Sequence, residues 1–272
     1  MPTLDRPGGP LHYEVTGLTA PWRGEPETIL FHHGVGITGD IWLEWLPALA
    51  DRYRLVRMDV RGFGRSSVPG PGFAWSMALL ADDARAVARA AGAERFHYVG
   101  ESLGGTLGLW LAVHHPESVL SLALCSTAHR GGSIQRVHEW RDFIARHGMA
   151  EWSRMMMDLR MAPAVPASYR AWFDAEQAKC SADAILDLAD VLVGTDLTDR
   201  LGEIAVPTLV LHPDASPFIP LPMALELQAR IPRAEIRIFP GARHALAHTH
   251  AGACAAALRE FLERRLPRHV GA

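Results

Sequence analysis

Lysine is nearly missing from this chain: Lys179 is the single one among 272 residues. Arginine supplies the rest of the 27 basic side chains, against 30 acidic ones, for a formal net charge of -3. A balance of this kind argues against nucleic acid or an anionic membrane as a partner. Together with abundant alanine, the arginine bias reads as a compositional habit of the source and not as a binding patch. Cysteine is scarce too. Cys125, Cys180 and Cys254 form an odd set without CxxC spacing, which argues against a disulfide framework and against a zinc site. Cys125 follows the apolar run Leu122–Leu124 and is expected as a small buried residue. No segment is long and apolar enough to span a bilayer. Met1–Pro10 is rich in proline and glycine and lacks a basic start followed by an apolar stretch. The expectation is a soluble, cytoplasmic protein that acts on a small molecule, with its oligomeric state open and a homodimer among the options.

What the chain does have is apolar material, 49% of its residues, enough for one large domain or for a core domain with an insertion. Short β-like runs alternate with helical ones. The predicted strands are Leu11–Val15, Thr28–His32, Leu55–Met58, Phe96–Val99, Leu120–Cys125, Thr208–His212 and Glu235–Phe239. The predicted helices include Ile41–Leu49, Met77–Ala91, Leu103–His115, Ala224–Arg230 and an amphipathic Ala251–Arg265. This alternation predicts an α/β fold with a mostly parallel central sheet flanked by helices. It stops between about His129 and Asp199, a stretch that reads as helices only, with breaks at Gly131-Gly132, Pro163, Pro166 and Gly194. The domain expectation is a core of 1–128 and 200–272 with a helical cap at 129–199. Trp140, Met156 and other Trp and Met side chains of the cap are either pocket lining or the ordinary apolar face that any helix needs.

The most informative pentapeptide is Gly100-Glu101-Ser102-Leu103-Gly104, with Gly105 after it. A β-prone run, Phe96–Val99, leads into it and a helical run, Thr106–His115, leads out. Strand, sharp turn and helix are the context of a nucleophile elbow. Such a turn strains the serine backbone, exposes its hydroxyl and leaves room only for small residues two positions to either side, here Gly100 and Gly104. The helix that follows aims its positive dipole end at any developing negative charge.

Three further motifs frame the elbow: Phe31-His32-His33-Gly34-Val35-Gly36, Asp59-Val60-Arg61-Gly62-Phe63-Gly64-Arg65-Ser66, and Pro240-Gly241-Ala242-Arg243-His244. In this order the four resemble the α/β-hydrolase superfamily over essentially the whole chain. Within it, Trp110–Arg130, with Leu124-Cys125-Ser126-Thr127-Ala128-His129-Arg130, looks most like the small lactonases that include 3-oxoadipate enol-lactonases. The resemblance implies an α/β-hydrolase fold with a helical cap inserted after the sixth strand. It also implies roles. Ser102 is the nucleophile and His244 the base that takes its proton. The backbone N–H groups of Val35 and Leu103 form the oxyanion hole. Asp59–Ser66 braces the end of the sheet. The resemblance calls for no cofactor. The pairs His32-His33, His114-His115 and His248-x-His250 lack nearby carboxylates or cysteines in a metal pattern, so no metal is expected either.

The chain departs from the family at the third triad member. An acid usually follows the strand Val206–Leu211 in a G-x-x-D-P arrangement. This sequence reads His212-Pro213-Asp214-Ala215-Ser216-Pro217, so Ser216 holds the acid's place and Asp214 lies two residues earlier, about 6.6 Å along an extended chain. Three readings stay open. Asp214 takes over through a re-routed loop, a Ser102–His244 dyad works with Ser216 or water as a weak orienter, or the site hydrolyses nothing. Glu101 adjoins the nucleophile but is expected to be aimed elsewhere by the elbow. Three functions follow: hydrolysis of a small ester or lactone through an acyl-enzyme on Ser102, hydrolysis of a C–C bond in a vinylogous diketone, and ligand binding without turnover. Arg130, Arg141 and Arg160, at or inside the cap, make carboxylate-bearing substrates a candidate class, with Arg130, Trp140 and Met156 as the expected substrate contacts.

Overall fold

Thr28–His32 and Phe96–Glu101 are buried at every position, with no polar alternation. A strand of that kind needs cover on both faces, which parallel sheets obtain from helices. The computed structural model describes residues 2–162 and 164–264, and among them the expected cover is present. The strands are β1 (Thr3–Leu4), β2 (Leu11–Thr16), β3 (Thr28–His32), β4 (Arg54–Met58), β5 (Phe96–Glu101), β6 (Val119–Cys125), β7 (Thr208–Pro213) and β8 (Ala234–Phe239). They form one sheet in the order β1-β2-β4-β3-β5-β6-β7-β8. The pairings of β1 with β2 and of β2 with β4 are antiparallel, and every pairing from β4 to β8 is parallel. The α/β architecture read from the sequence is therefore the observed one.

The helices are α1 (Leu46–Leu49), α2 (Met77–Ala90), α3 (Leu103–His114), α4 (Trp140–Arg160), α5 (Ala167–Ala178), α6 (Ala182–Val193), α7 (Leu221–Arg230), α8 (Leu246–Thr249) and α9 (Ala251–Glu263). Period-two alternation along the strands splits the core in two. Leu30, Val56, Tyr98, Leu122 and Val210 join the side of α2, α3 and α7. Ile29, Phe31, Leu55, Val99 and Leu209 join the side of α1, α8 and α9. β8 is an edge strand, half-exposed, with Glu235 and Arg237 along it, and charges there oppose pairing with another sheet.

Several details differ from the sequence reading. β1 is an extra strand, too short for any periodicity to reveal. Ile41–Leu49 is mostly a 3-10 helix, Gly39–Trp45, that runs into α1. α4 contains a break at Gly148, whose φ of 76 and ψ of 174 are non-helical. The segment between β6 and β7 holds α4, α5 and α6, and its two ends are tied together. Gly131 N donates to Thr195 O (2.7 Å), Leu197 N donates to His129 O (2.9 Å), and Arg130 bridges Asp196. Met1, Pro163 (an expected break) and residues 265–272, including Arg265 at the end of the predicted last helix, lie outside the described residues. No helix among the described residues is long and apolar enough to cross a membrane.

Candidate active site

The parallel strands all deliver their C-terminal ends to one edge, and Ser102, His244 and Val35 collect there. Ser102 follows β5 directly and sits at φ 54, ψ -114, with α3 starting at the next residue. Its N–H still donates to Cys125 O of β6 at 3.0 Å, so the strained turn is anchored in the sheet. A non-glycine residue in that region costs about 1–3 kcal/mol, and close packing must hold it there. The packing is visible. A methyl group added at Gly100 would collide with the backbone carbonyl of Gly104, and one at Gly104 with the carbonyl of His32.

His244 arrives from the loop between β8 and α8, and its Nε2 lies 3.2 Å from Ser102 Oγ. Its own carbonyl accepts the Ser126 hydroxyl at 2.7 Å, and its ring packs edge-on against Phe218 at 4.9 Å. Burial pushes the imidazole down to about 3, and the charges of Arg160 and His212 push the same way. A buried ring of this kind is neutral at pH 7, the protonation state a base needs.

The expectation that Asp214 orients His244 is corrected by the loop after β7. Asp214 is exposed, and its Oδ1 accepts the Gly241 N–H at 2.7 Å. It therefore ties this loop to the turn after β8. The group at His244 Nδ1 is Ser216 Oγ, 3.2 Å away. Loop re-routing of the kind Asp214 needed is blocked because the backbone around it is already paired: Asp214 N with Phe239 O and Ala215 N with Ala242 O.

Val35 and Leu103 both lie beside Ser102. Leu103 opens α3, so its N–H is one of the first-turn donors that no helix carbonyl can reach. Val35 lines the same cavity as Ser102 and His244. Its carbonyl accepts Arg160 Nη2 at 3.0 Å. The Gly34 backbone on its other side faces the carboxyl of Glu101, close enough that a side chain at Gly34 would collide with it. His33 secures the same segment, with Nδ1 donating to Gly34 O at 2.7 Å and Nε2 accepting Val60 N at 2.8 Å. Glu101 does not line the cavity of Ser102 and His244, in keeping with an elbow that aims it elsewhere. It is buried beneath the loop that carries Val35, and burial lifts its carboxyl to about 7 against the opposing pull of Arg160 and the Gly34 N–H. Burial lowers the Arg160 guanidinium, and the Glu101 charge works the other way. Asp59 braces the neighbouring loops, accepting Gly39 N (2.8 Å) and Arg65 N (2.9 Å).

Trp140 and Met156 line the cavity with Ser102, and so do Phe218, Leu192 and Arg160. The enclosed space is about 20 Å³, room for about one water molecule. Arg130 is corrected: it is exposed, its Nε donates to Ser133 Oγ at 2.8 Å, and it stays at the root of the segment, outside this cavity. Arg141 pairs with Asp190 at 2.7 Å on the surface, beside an outer pocket of about 200 Å³ that shares Ile134 and Val137 with the inner one. Of the three arginines, only Arg160 reaches the cavity at Ser102. Its place at the end of α4, among Met156, Met157 and Met161, was the available signal, because a charged residue in an apolar helical stretch is buried only for a reason. No group of three or more potential metal ligands occurs among the described residues.

Comparison with known proteins gives a consistent picture. Residues 27–181 match the family model described as alpha/beta hydrolase fold. A Klebsiella pneumoniae protein provisionally named carbamate hydrolase RutD is 30% identical over 259 residues, covering 91% of this chain and 95% of its own length. A fluoroacetate dehalogenase from Burkholderia is 41% identical over 104 residues, 37% of this chain. Among solved structures, a hydrolase from Pseudomonas aeruginosa PA01 has a TM-score of 0.85 at 27% identity over 96% of this chain and 97% of its own. The enol-lactonase from Burkholderia xenovorans LB400 shares the fold at a TM-score of 0.85 and 23% identity, covering 96% of this chain and 100% of its own.

Proposed function

We propose that this chain, which belongs to the alpha/beta hydrolase fold family, hydrolyses a small ester or lactone through an acyl-enzyme on Ser102. The observation that carries the reading is the approach of His244 Nε2 to Ser102 Oγ, 3.2 Å, across the ends of two strands. In this reading Ser102 attacks the acyl carbon while His244 takes its proton, and the Val35 and Leu103 N–H groups receive the charge that develops on the carbonyl oxygen. His244 then protonates the leaving alkoxide, and water releases the acyl group by the same route in reverse. The relatives support hydrolysis as the reaction class. The substrates in their names differ, a carbamate for one and fluoroacetate for another, so the substrate is chosen on other grounds. The apolar walls set by Trp140, Met156 and Phe218 favour a compact acyl group, and a lactone suits a confined site because its two halves leave together as one molecule.

The test is labelling with a fluorophosphonate, read by mass spectrometry, with Ser102→Ala and His244→Ala as controls. Adduct on Ser102 that depends on His244 is the expected result, followed by acid release from short esters and lactones. A folded protein that takes no label at Ser102 overturns the acyl-enzyme.

A further inference from the structure

Three nitrogens crowd the hydroxyl of Ser216. Phe218 N lies 3.4 Å from its Oγ, Ile219 N 3.2 Å, and His244 Nδ1 3.2 Å. A hydroxyl has one proton to give and two lone pairs to receive with. The two backbone N–H groups can only donate, so they occupy both lone pairs. What remains is the O–H bond, and the one neighbour able to accept it is Nδ1. We propose that Ser216 is a positioning residue that donates to Nδ1 and so holds resting His244 with its proton on Nε2, the nitrogen that faces Ser102.

This is the reverse of the arrangement a carboxylate imposes. A carboxylate only accepts, so it selects the tautomer with the proton on Nδ1 and leaves the Nε2 lone pair free for the serine proton. With Ser216 in that place, Nε2–H donates to Ser102 Oγ, and the Ser102 hydroxyl has no base in the resting state. Nothing around the ring opposes the assignment. Among the described residues no carboxylate forms an ion pair with His244, Asp214 is committed to Gly241, and the Ser126 hydroxyl donates to the His244 carbonyl and not to the ring. For attack to occur, Nε2 releases its proton to water, Nδ1 gains one, and Ser216 turns its own proton away, gives up the longer bond from Phe218 N and accepts from Nδ1 with the lone pair so freed. The exchange is neutral overall, one proton leaving and one arriving. The inference rests on the acyl-enzyme reading for its consequence, slow activation of Ser102, although the tautomer itself is set without substrate.

The experiment is two-dimensional 15N–1H spectroscopy of the histidine side chains in the full-length protein at pH 7, with the His244 signals assigned by their loss in His244→Gln. The expected pattern is a protonated Nε2 and an unprotonated Nδ1. In Ser216→Asp the pattern reverses, and fluorophosphonate labelling of Ser102 speeds up by about 10²-fold or more, part of the roughly 10⁴ that a triad acid contributes. In Ser216→Ala, which keeps the volume but loses the donor, the single-tautomer pattern gives way to a mixture. A proton on Nδ1 in the unaltered protein overturns the proposal, and so does an unchanged single tautomer in Ser216→Ala. Should the spectra agree with expectation while Ser102 labels in none of the three proteins, the tautomer assignment stands and the acyl-enzyme reading falls.

Discussion

Ser102 and Ser216 stand at the ends of β5 and β7, and both hydroxyls face the ring of His244, one at Nε2 and one at Nδ1. They are held by different means. Ser102 is fixed by its backbone, at φ 54 with glycines packed against carbonyls on either side. Ser216 is fixed by hydrogen bonds from Phe218 N and Ile219 N, which any short acceptor in that position would also receive. Backbone sterics leave a sequence signature because only certain residues fit. A cradle of N–H donors leaves almost none, because serine and aspartate fit it alike. The first region therefore dictates its residues, and the second dictates only a place, leaving its chemistry to whichever side chain occupies it.

The sharpest way to break this comparison is Ser102→Ala. Hydrolysis of the best ester or lactone is expected to fall by roughly 10⁵-fold or more, measured as acid release under saturating substrate. Persisting turnover would show that the reacting half of the site lies elsewhere. Next comes the backbone claim. Gly100→Ala places a methyl group against the Gly104 carbonyl and should cost about 3 kcal/mol or more of stability, read from urea unfolding midpoints. Ser216→Ala, which disturbs hydrogen bonds alone, should cost about 1 kcal/mol. Equal losses would erase the distinction between the two regions.

A third prediction concerns Glu101, buried beneath the loop that carries Val35. The Glu101 carboxyl, ordinarily at 4.5, is lifted to about 7 by burial. The folded state therefore holds this proton more tightly than the unfolded chain. Its contribution to stability is fully present below about 4.5 and is lost as pH rises through about 7. Glu101→Gln should remove that slope, at most about 1.4 kcal/mol per pH unit. The comparison must be made against the parent protein, because the buried histidines act in the opposite direction. His32, His244 and His248 are pushed down from 6.5 to about 3 and His212 to about 4, chiefly by burial. The stability they confer is present above about 6.5 and lost as pH falls through those values. Identical pH slopes for the two proteins between 5 and 7 would count against a buried, proton-holding Glu101. The smallest effects belong to residues that the structure moves away from the chemistry. Asp214→Asn and Arg130→Ala should each leave kcat/KM within about threefold. A loss of about 10²-fold in Asp214→Asn would instead return that carboxylate to His244.

Legibility followed the same division. The strands at Thr28–His32 and Phe96–Val99 were readable because continuous apolar runs bounded by turns have few other uses, although the second runs on to Glu101. The elbow was readable because two glycines, a strand and a helix all had to agree. Trp140 and Met156 were readable as apolar residues of a helical segment, but nothing in their spacing separated cavity wall from packing. Arg130 was misplaced and Arg160 undervalued for one reason: whether an arginine faces solvent or a nucleophile depends on how a helix rolls against the sheet. That Glu101 is aimed away from the cavity was readable from the elbow, but what it meets there was not. That was settled by contact with the Gly34 backbone, contributed by the loop after β3, remote in the chain.

The amino-acid sequence by itself determined the alternation of strands and helices and the strained turn at Ser102, whereas His244 was singled out only by the family resemblance of its Pro240–His244 approach. The alternation and the turn rest on local sterics and on the period of apolar burial, both of which act within a few neighbouring residues. Only the tertiary structure decided that Ser216 and not Asp214 reaches His244, that Glu101 and Arg160 grip the loop of Val35 from two sides, and how little space lies above Ser102. Each of these depends on distances between strand ends that are remote in sequence, and a hydrogen bond made or missed by 2 Å is invisible until the sheet has brought those ends together.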